Sequence, residues 1–395
     1  MLTEQWLTAA LCARHPQARV ESFTLTAGSN GTSSRRGLAV RYNEVGAAAR
    51  LPSELFTKST AALTMRVVCG LCRLLGNESG FYRHIRPELE LEAPWAYHAA
   101  FDPRSFRSLF VLEDVVATKG ATFGNPLTRV LDKAMAEDMV GQPAIYHGAY
   151  WDSPRLRSDF GWLLTGEQWH TPMNNMINTG RMFRTGLARG AEVIPPELRG
   201  RQDELWPGLF RAMAFTSAPR RPCADVHAGN WYVTGDGRIG LYDRQCTLRG
   251  NWAADFAYAI MSALTVEQRR AWERDLLEYY LDRLRAAGGA ALAFAAAWLQ
   301  YRQQTFQGVF AWSAPWDRAG CSPICSPAIS ASRTSSGFCR RSRIWSRWTV
   351  WRSSDRARLG LRPGRVAGGP AGEGRATKPS AKYCIEPHRS QRQAC

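Results

Sequence analysis

The 395-residue sequence predicts an α+β chain of two lobes, a small β-rich lobe followed by a larger, mainly helical one. Three observations carry that expectation. Short runs with strand-like patterning are confined to about residues 20–113. After Val115 the spacing becomes helical, interrupted once by a hairpin signal. The length exceeds the usual single-domain size, and 45% of residues are hydrophobic, so each lobe can bury its own core.

In chain order, strands are expected at residues 20–27, 37–42, 54–58, 96–101 and 108–113. Between the third and fourth, residues 60–85 carry Leu63, Val67, Leu71, Leu74 and Leu75 at helical spacing until Pro87 closes the stretch. Long helices are expected at 126–150, 171–188, 202–215, 266–287 and 290–310. Within them, Gly235-Asp236-Gly237 separates the short strands 231–234 and 238–242 and marks a tight turn. The nearly apolar run 286–299 falls short of the roughly 18–20 residues that span a bilayer and reads as a buried helix. The expected organisation is residues 1–115 as the N-lobe, 116–312 as the C-lobe and 313–395 as a tail.

The tail holds most of the charge. Lys and Arg number 51 against 34 Asp and Glu, net +17, and residues 313–395 carry 16 Arg and Lys against 4 acids. That segment has 13 Ser and scattered tryptophans but no apolar stripe of either period, so it cannot bury enough surface to offset its ordering entropy. Two readings stand: a basic extension suited to nucleic acid, or the product of a shifted reading frame in GC-rich DNA. The abrupt loss of pattern favours the second, so nucleic acid is not expected as a partner. Glu4 and the missing apolar core in residues 1–14 argue against a secretory signal, and the irregular cysteines suit a reducing cytoplasm. No membrane partner is expected. Cys69 and Cys72 have CxxC spacing but lie in an apolar helical stretch without a second Cys/His pair, which reads as buried thiols.

The chemistry concentrates in Asp225-Val226-His227-Ala228-Gly229-Asn230 and in Asp243 beyond the hairpin. Phosphoryl transfer needs a carboxylate to accept a hydroxyl proton, plus oxygen ligands for Mg²⁺. Asp-x4-Asn supplies the first carboxylate and one ligand, and the hairpin returns the chain so that Asp243 emerges beside Asn230. The roles that follow are Asp225 as base, with Asn230 and Asp243 as metal ligands. A turn rich in Asp and Asn before a hairpin is the plainer alternative. A Gly-x-Ser-x-Gly elbow for hydrolysis is absent.

Residues 225–233, Gly240-Leu241-Tyr242-Asp243 and Gly250-Asn251-Trp252-Ala253-Ala254-Asp255 closely resemble the aminoglycoside phosphotransferase and ecdysteroid- or choline-kinase-like group of small-molecule kinases, which have a protein-kinase-like fold. The resemblance covers about residues 18–312. It implies that the β-rich lobe holds ATP: Gly28, Ser29, Asn30, Gly31 and Thr32 in a phosphate loop, Lys58 on the α/β-phosphates, and Glu78 pairing with Lys58. It further implies that Glu113-Asp114 is the inter-lobe hinge and that Asp255 braces the catalytic loop through backbone N–H groups. The cofactors it implies are ATP and Mg²⁺, and the partner is a small molecule bearing a hydroxyl. Two departures stand out. Cys223 replaces a scaffold histidine, an exchange expected to loosen the loop. Arg244 replaces an aromatic, which would set a charge near the phosphates. A nucleotide-binding but non-catalytic member therefore stays open as the second reading.

Overall fold

A computed structural model describes residues 2–30, 33–124, 130–191, 194–214 and 221–313. The tail beyond Ser313, and Gly31 and Thr32 of the expected phosphate loop, lie outside the described residues.

The five expected strands all form. They are β1 (Val20–Asn30), β2 (Ser34–Tyr42), β3 (Glu54–Ser59), β4 (Ala96–Asp102) and β5 (Arg107–Glu113), in the antiparallel order β1-β2-β3-β5-β4. Helix α1 (Glu4–Leu11) lays Leu7 and Leu11 against Val20, Leu38, Val40, Leu55 and Val111, which form one core on that side of the sheet. A short α2 (Glu44–Ala48) links β2 to β3.

The expected single helix over 60–85 is broken. It divides into α3 (Leu63–Leu71), α4 (Leu74–Gly80) and a π-helical turn at Phe81–Ile85, with Arg73 between α3 and α4 in the left-handed region at φ 61°. The break rotates the apolar stripe. Leu63, Val67 and Leu71 stay exposed, while Cys69, Cys72, Leu74 and Leu75 pack inward against Trp169 and Met173. Burial pushes both thiols above the ordinary cysteine range.

Past the short α5 (Val115–Lys119), the second lobe is helical. It comprises α6 (Lys133–Ala149), α7 (Gly166–Ile177), α8 (Thr179–Arg189), α9 (Gln202–Ala214), α10 (Trp252–Ala263), α11 (Val266–Ala286), α12 (Phe294–Gln303) and α13 (Phe306–Ser313). Helix α6 packs on α10 and α11. Three expectations are corrected here. The helix expected over 171–188 is two helices, divided at Asn178, whose φ of 53° breaks α7 while its side chain caps α8. The helix expected over 290–310 divides at Gln304-Thr305 into α12 and α13. The run 286–299 is no buried helix: α11 ends at Ala286, Gly288 at φ 92° follows its cap, and of α12's residues only Ala297 and Tyr301 are buried.

Two short strand pairs complete the lobe. Strand β6 (Arg221–Cys223) pairs with β9 (Leu248–Gly250), and β7 (Trp231–Val233) with β8 (Ile239–Leu241) across the expected turn. No described helix is long and apolar enough to cross a membrane. The architecture is the two-lobed α+β arrangement that the sequence predicts.

Candidate active site

Strand β3 carries Lys58 into the interior, where an ammonium without partners would be costly. Two carboxylates meet it: Glu78 of α4 at 2.8 Å and Asp243 at 3.1 Å, the latter 185 residues further along the chain. Burial alone would drive Lys58 towards the neutral amine, but Asp243 and Glu78 outweigh it and hold its pKa above the usual lysine value. Burial likewise pushes the Glu78 carboxyl up against the pull of Lys58. The short contact to a lysine held charged from two sides favours the ion pair. For Asp243, burial works upward too, yet Lys58 and then Arg35 leave it below the ordinary carboxylate range.

Asp243 stands in the left-handed region at φ 56°, a conformation Asp tolerates better than most residues. It follows β8, which β7 pulls alongside itself, so the hairpin sets its place. The Tyr242 amide donates to the Asn230 carbonyl at 3.0 Å, and the Tyr242 hydroxyl to the Gly229 carbonyl at 2.7 Å. The two ends of the segment 230–243 are thereby clamped together. Asn230, buried in a 3-10 turn, donates its Nδ2 to the Asp225 carbonyl at 2.7 Å, leaving its Oδ1 as an acceptor. Asp225 lies near enough to Asp243 to feel its charge. Burial raises its pKa, and Asp243 adds to the rise against His227. The structure thus brings Lys58, Glu78, Asp225, Asn230 and Asp243 to one place.

The loop before Asp225 is braced from below. Both carboxylate oxygens of Asp255, on α10, accept from the Ala224 amide at 3.1 and 3.0 Å, and Tyr146 of α6 donates to the same carboxylate. The Cys223 thiol donates to the Asn251 carbonyl at 3.4 Å and lies 3.9 Å from His147 Nε2. His147 is fully buried and meets the Tyr280 hydroxyl at 2.7 Å through Nδ1. It packs in the core, well placed to hold the loop and with no open face.

The phosphate-loop expectation is corrected in form. Gly28, Ser29 and Asn30 are ladder residues of β1, paired with Arg36, Arg35 and Ser34, so the hairpin runs further before it turns. The need for glycine at 28 is steric: a Cβ there would stand 1.9 Å from the Arg35 carbonyl oxygen, at a register shift between Leu25 and Gly28. Ser29 and Asn30 are exposed, with the Arg36 guanidinium donating to the Ser29 carbonyl and to Asn30 Oδ1.

Arg244 also departs from expectation. Its guanidinium is buried, 4.0 Å above the Phe81 ring and 5.2 Å from the Tyr146 ring, so its charge rests on aromatic faces in the core. The charge expected near the phosphates is held instead against Phe81 and Tyr146. Glu113, at the end of β5, accepts from the Trp95 amide and the Thr118 hydroxyl.

Two residues escaped the sequence reading. Arg35 lies opposite Lys58 in the β2–β3 register and reaches Asp243 at 3.7 Å. Strand pairing would have found it, since cross-strand neighbours share a face. His227 holds its Nε2 3.7 Å from Asp225 Oδ2 while its Nδ1 accepts from the Gly229 amide. Its place two residues from Asp225 was a signal left unused.

No protein-family model matches the sequence, and no curated protein matches it. Solved structures do. A macrolide 2'-phosphotransferase of type I is 13% identical, with 79% of this chain and 89% of that one covered and a TM-score of 0.41. A Ralstonia eutropha protein classed as an aminoglycoside phosphotransferase is 11% identical, covering 87% and 95%, with a TM-score of 0.48. An aminoglycoside phosphotransferase of Streptomyces rimosus, in complex with ADP and streptomycin, is 16% identical, covering 66% and 90%, with a TM-score of 0.41.

Proposed function

We propose that the protein is an ATP- and Mg²⁺-dependent phosphotransferase that moves the γ-phosphate to a hydroxyl of a small molecule. The observation that carries this reading is the meeting of Lys58 with both Glu78 and Asp243, at 2.8 and 3.1 Å, beside the Asn230–Asp225 loop. A lysine on the central strand of the sheet and a carboxylate from the far lobe have no packing reason to share a buried point. They do have an electrostatic one if a polyphosphate and a cation come between them.

The donor set fits Mg²⁺, which prefers oxygen ligands: the Asp243 carboxylate and the Asn230 Oδ1 would hold it. When bound, the metal neutralises charge on the phosphates and orients them. The chain's own residues do the rest. Lys58 and Arg35, which now rest on Asp243, are the cations available to phosphate oxygens, and Glu78 keeps Lys58 aimed. Asp225 accepts the proton from the attacking hydroxyl, and the burial that raises its pKa makes it a better base than an exposed aspartate. Asp255 holds that loop in place through Ala224.

Asp225→Asn is expected to lower the transfer rate about 100- to 10,000-fold while Mg·ATP affinity changes little. Asp243→Ala is expected to weaken Mg·ATP binding as well. Coupled ADP release and calorimetric titration separate the two. Equal activity in both variants removes the assigned roles, and Mg·ATP binding without transfer to any alcohol leaves the nucleotide-binding, non-catalytic reading.

A further inference from the structure

Beside Asp225 lies a cavity of about 200 Å³. Its walls come from α7, α8, α9, α10 and α13, with β9 and the 223–227 segment, and they include Asp225 but not Lys58, Glu78 or Asp243. It is therefore open to the base and separate from the charged cleft. Trp169, Met173, Met182, Leu209, Met213 and Phe310 make its lining apolar. Among the described lining residues the carboxylates are Asp225 and Asp255, and both Asp255 oxygens already accept the Ala224 amide. Arg249 adds a cation. With Asp225 given to the reacting hydroxyl, an ammonium-bearing acceptor would meet no further free carboxylate and would face Arg249, at the cost of burying a poorly paired charge.

One lining residue is polar in a way that the fold leaves unanswered. His170 is fully buried on α7, with the rings of Trp169, Phe210 and Phe310 around it at 4.8 to 6.4 Å. Gln307 is near enough to act on the imidazole, yet neither ring nitrogen completes a hydrogen bond of ordinary geometry. Burial pushes its pKa down to about 3, so the ring is neutral, with one donor and one acceptor to offer. A buried polar group without a partner calls for one, and beside an open cavity a ligand group can supply it.

We infer that this cavity takes an uncharged, mainly apolar alcohol, whose reacting hydroxyl faces Asp225 and whose second polar group hydrogen-bonds His170. The inference rests on the phosphotransferase reading and narrows it to an acceptor class.

The test uses the full chain with Mg·ATP and four probes: 4-phenylcyclohexanol, 4-(4-hydroxyphenyl)cyclohexanol, choline and kanamycin. Binding is read by calorimetric titration and transfer by ADP release. The two uncharged alcohols are expected to surpass choline and kanamycin by at least about tenfold in affinity, and the phenol-bearing one to surpass its analogue by about tenfold. His170→Phe is expected to erase that second preference, and His170→Asn, which keeps a donor and an acceptor, to restore part of it. Preference for kanamycin or choline overturns the acceptor class. A phenol preference unchanged in His170→Phe overturns the role of His170. Mg·ATP binding with no alcohol bound overturns the cavity inference alone. Alcohol binding without Asp225-dependent transfer overturns the phosphotransferase reading and leaves the ligand class standing.

Discussion

The charged cleft and the apolar cavity meet at Asp225 and are built on opposite principles. In the cleft, each charge is answered by another: Lys58 by Glu78 and Asp243, Asp243 by Arg35, and the Asp225 loop by Asn230 and Asp255. In the cavity, the walls are mostly methionine, leucine and aromatic side chains, and His170 has only Gln307 near its imidazole, without a hydrogen bond of ordinary geometry. The lesson is that the cleft is already preorganised and guarded by its own ion pairs, whereas the cavity is completed only by what enters it. Desolvated charges must be paired within the protein, while apolar surface can wait for a ligand.

The largest expected effect breaks the cleft. Lys58→Met strands Glu78 as a buried carboxylate without its cation, and the loss should be about 3–5 kcal/mol in urea unfolding. Adding Glu78→Gln should recover much of it. If Lys58→Met unfolds no more easily than wild type, the pair is not holding α4 to the sheet.

The cavity predicts a pH signature of its own. His170 has a folded pKa depressed to about 3, so the unfolded chain, with a histidine pKa near 6.5, binds a proton that the folded chain refuses. Its contribution to stability is therefore present above about pH 6.5 and is lost as the pH falls towards 3, on the order of 4 kcal/mol at the acid end. His170→Phe should flatten that part of the stability profile relative to wild type, read by denaturant unfolding at several pH values. Parallel profiles in the two proteins would mean that the imidazole takes its proton in the folded state.

The smallest effect lies where the regions join. Asp225 must be ionised to accept a proton, and burial raises its pKa, so kcat/KM should fall with acidification at a pH above the ordinary aspartate value of about 3.9. An acid limb at or below that value would show that Asp225 is not the titrating base.

Much of the cleft was legible in the sequence because its parts are local. Asp225 and Asn230 are five residues apart in one loop, and the Gly-Asp-Gly turn returns the chain to Asp243. Lys58 and Glu78 were legible only through family resemblance, since the partner of each lies outside any local window. What was misread had a common cause. Periodicity continues through Arg73, Asn178 and Gly288, so it cannot reveal that a single left-handed residue turns the chain. A glycine-rich segment likewise reads as a loop until strand pairing extends it, as Gly28 to Asn30 do in β1.

By itself the sequence determined the strands, the hairpin and the residue types that cluster around Asp225, because these follow from patterns only a few residues long. Tertiary structure alone decided where Arg244 rests, that Arg35 joins Asp243, and that five helices leave a mainly apolar space lined by His170. The reason is physical: hydrogen-bonded turns and strands are written in neighbouring residues, whereas a cavity is the gap left by side chains far apart in sequence, and only packing sets its size.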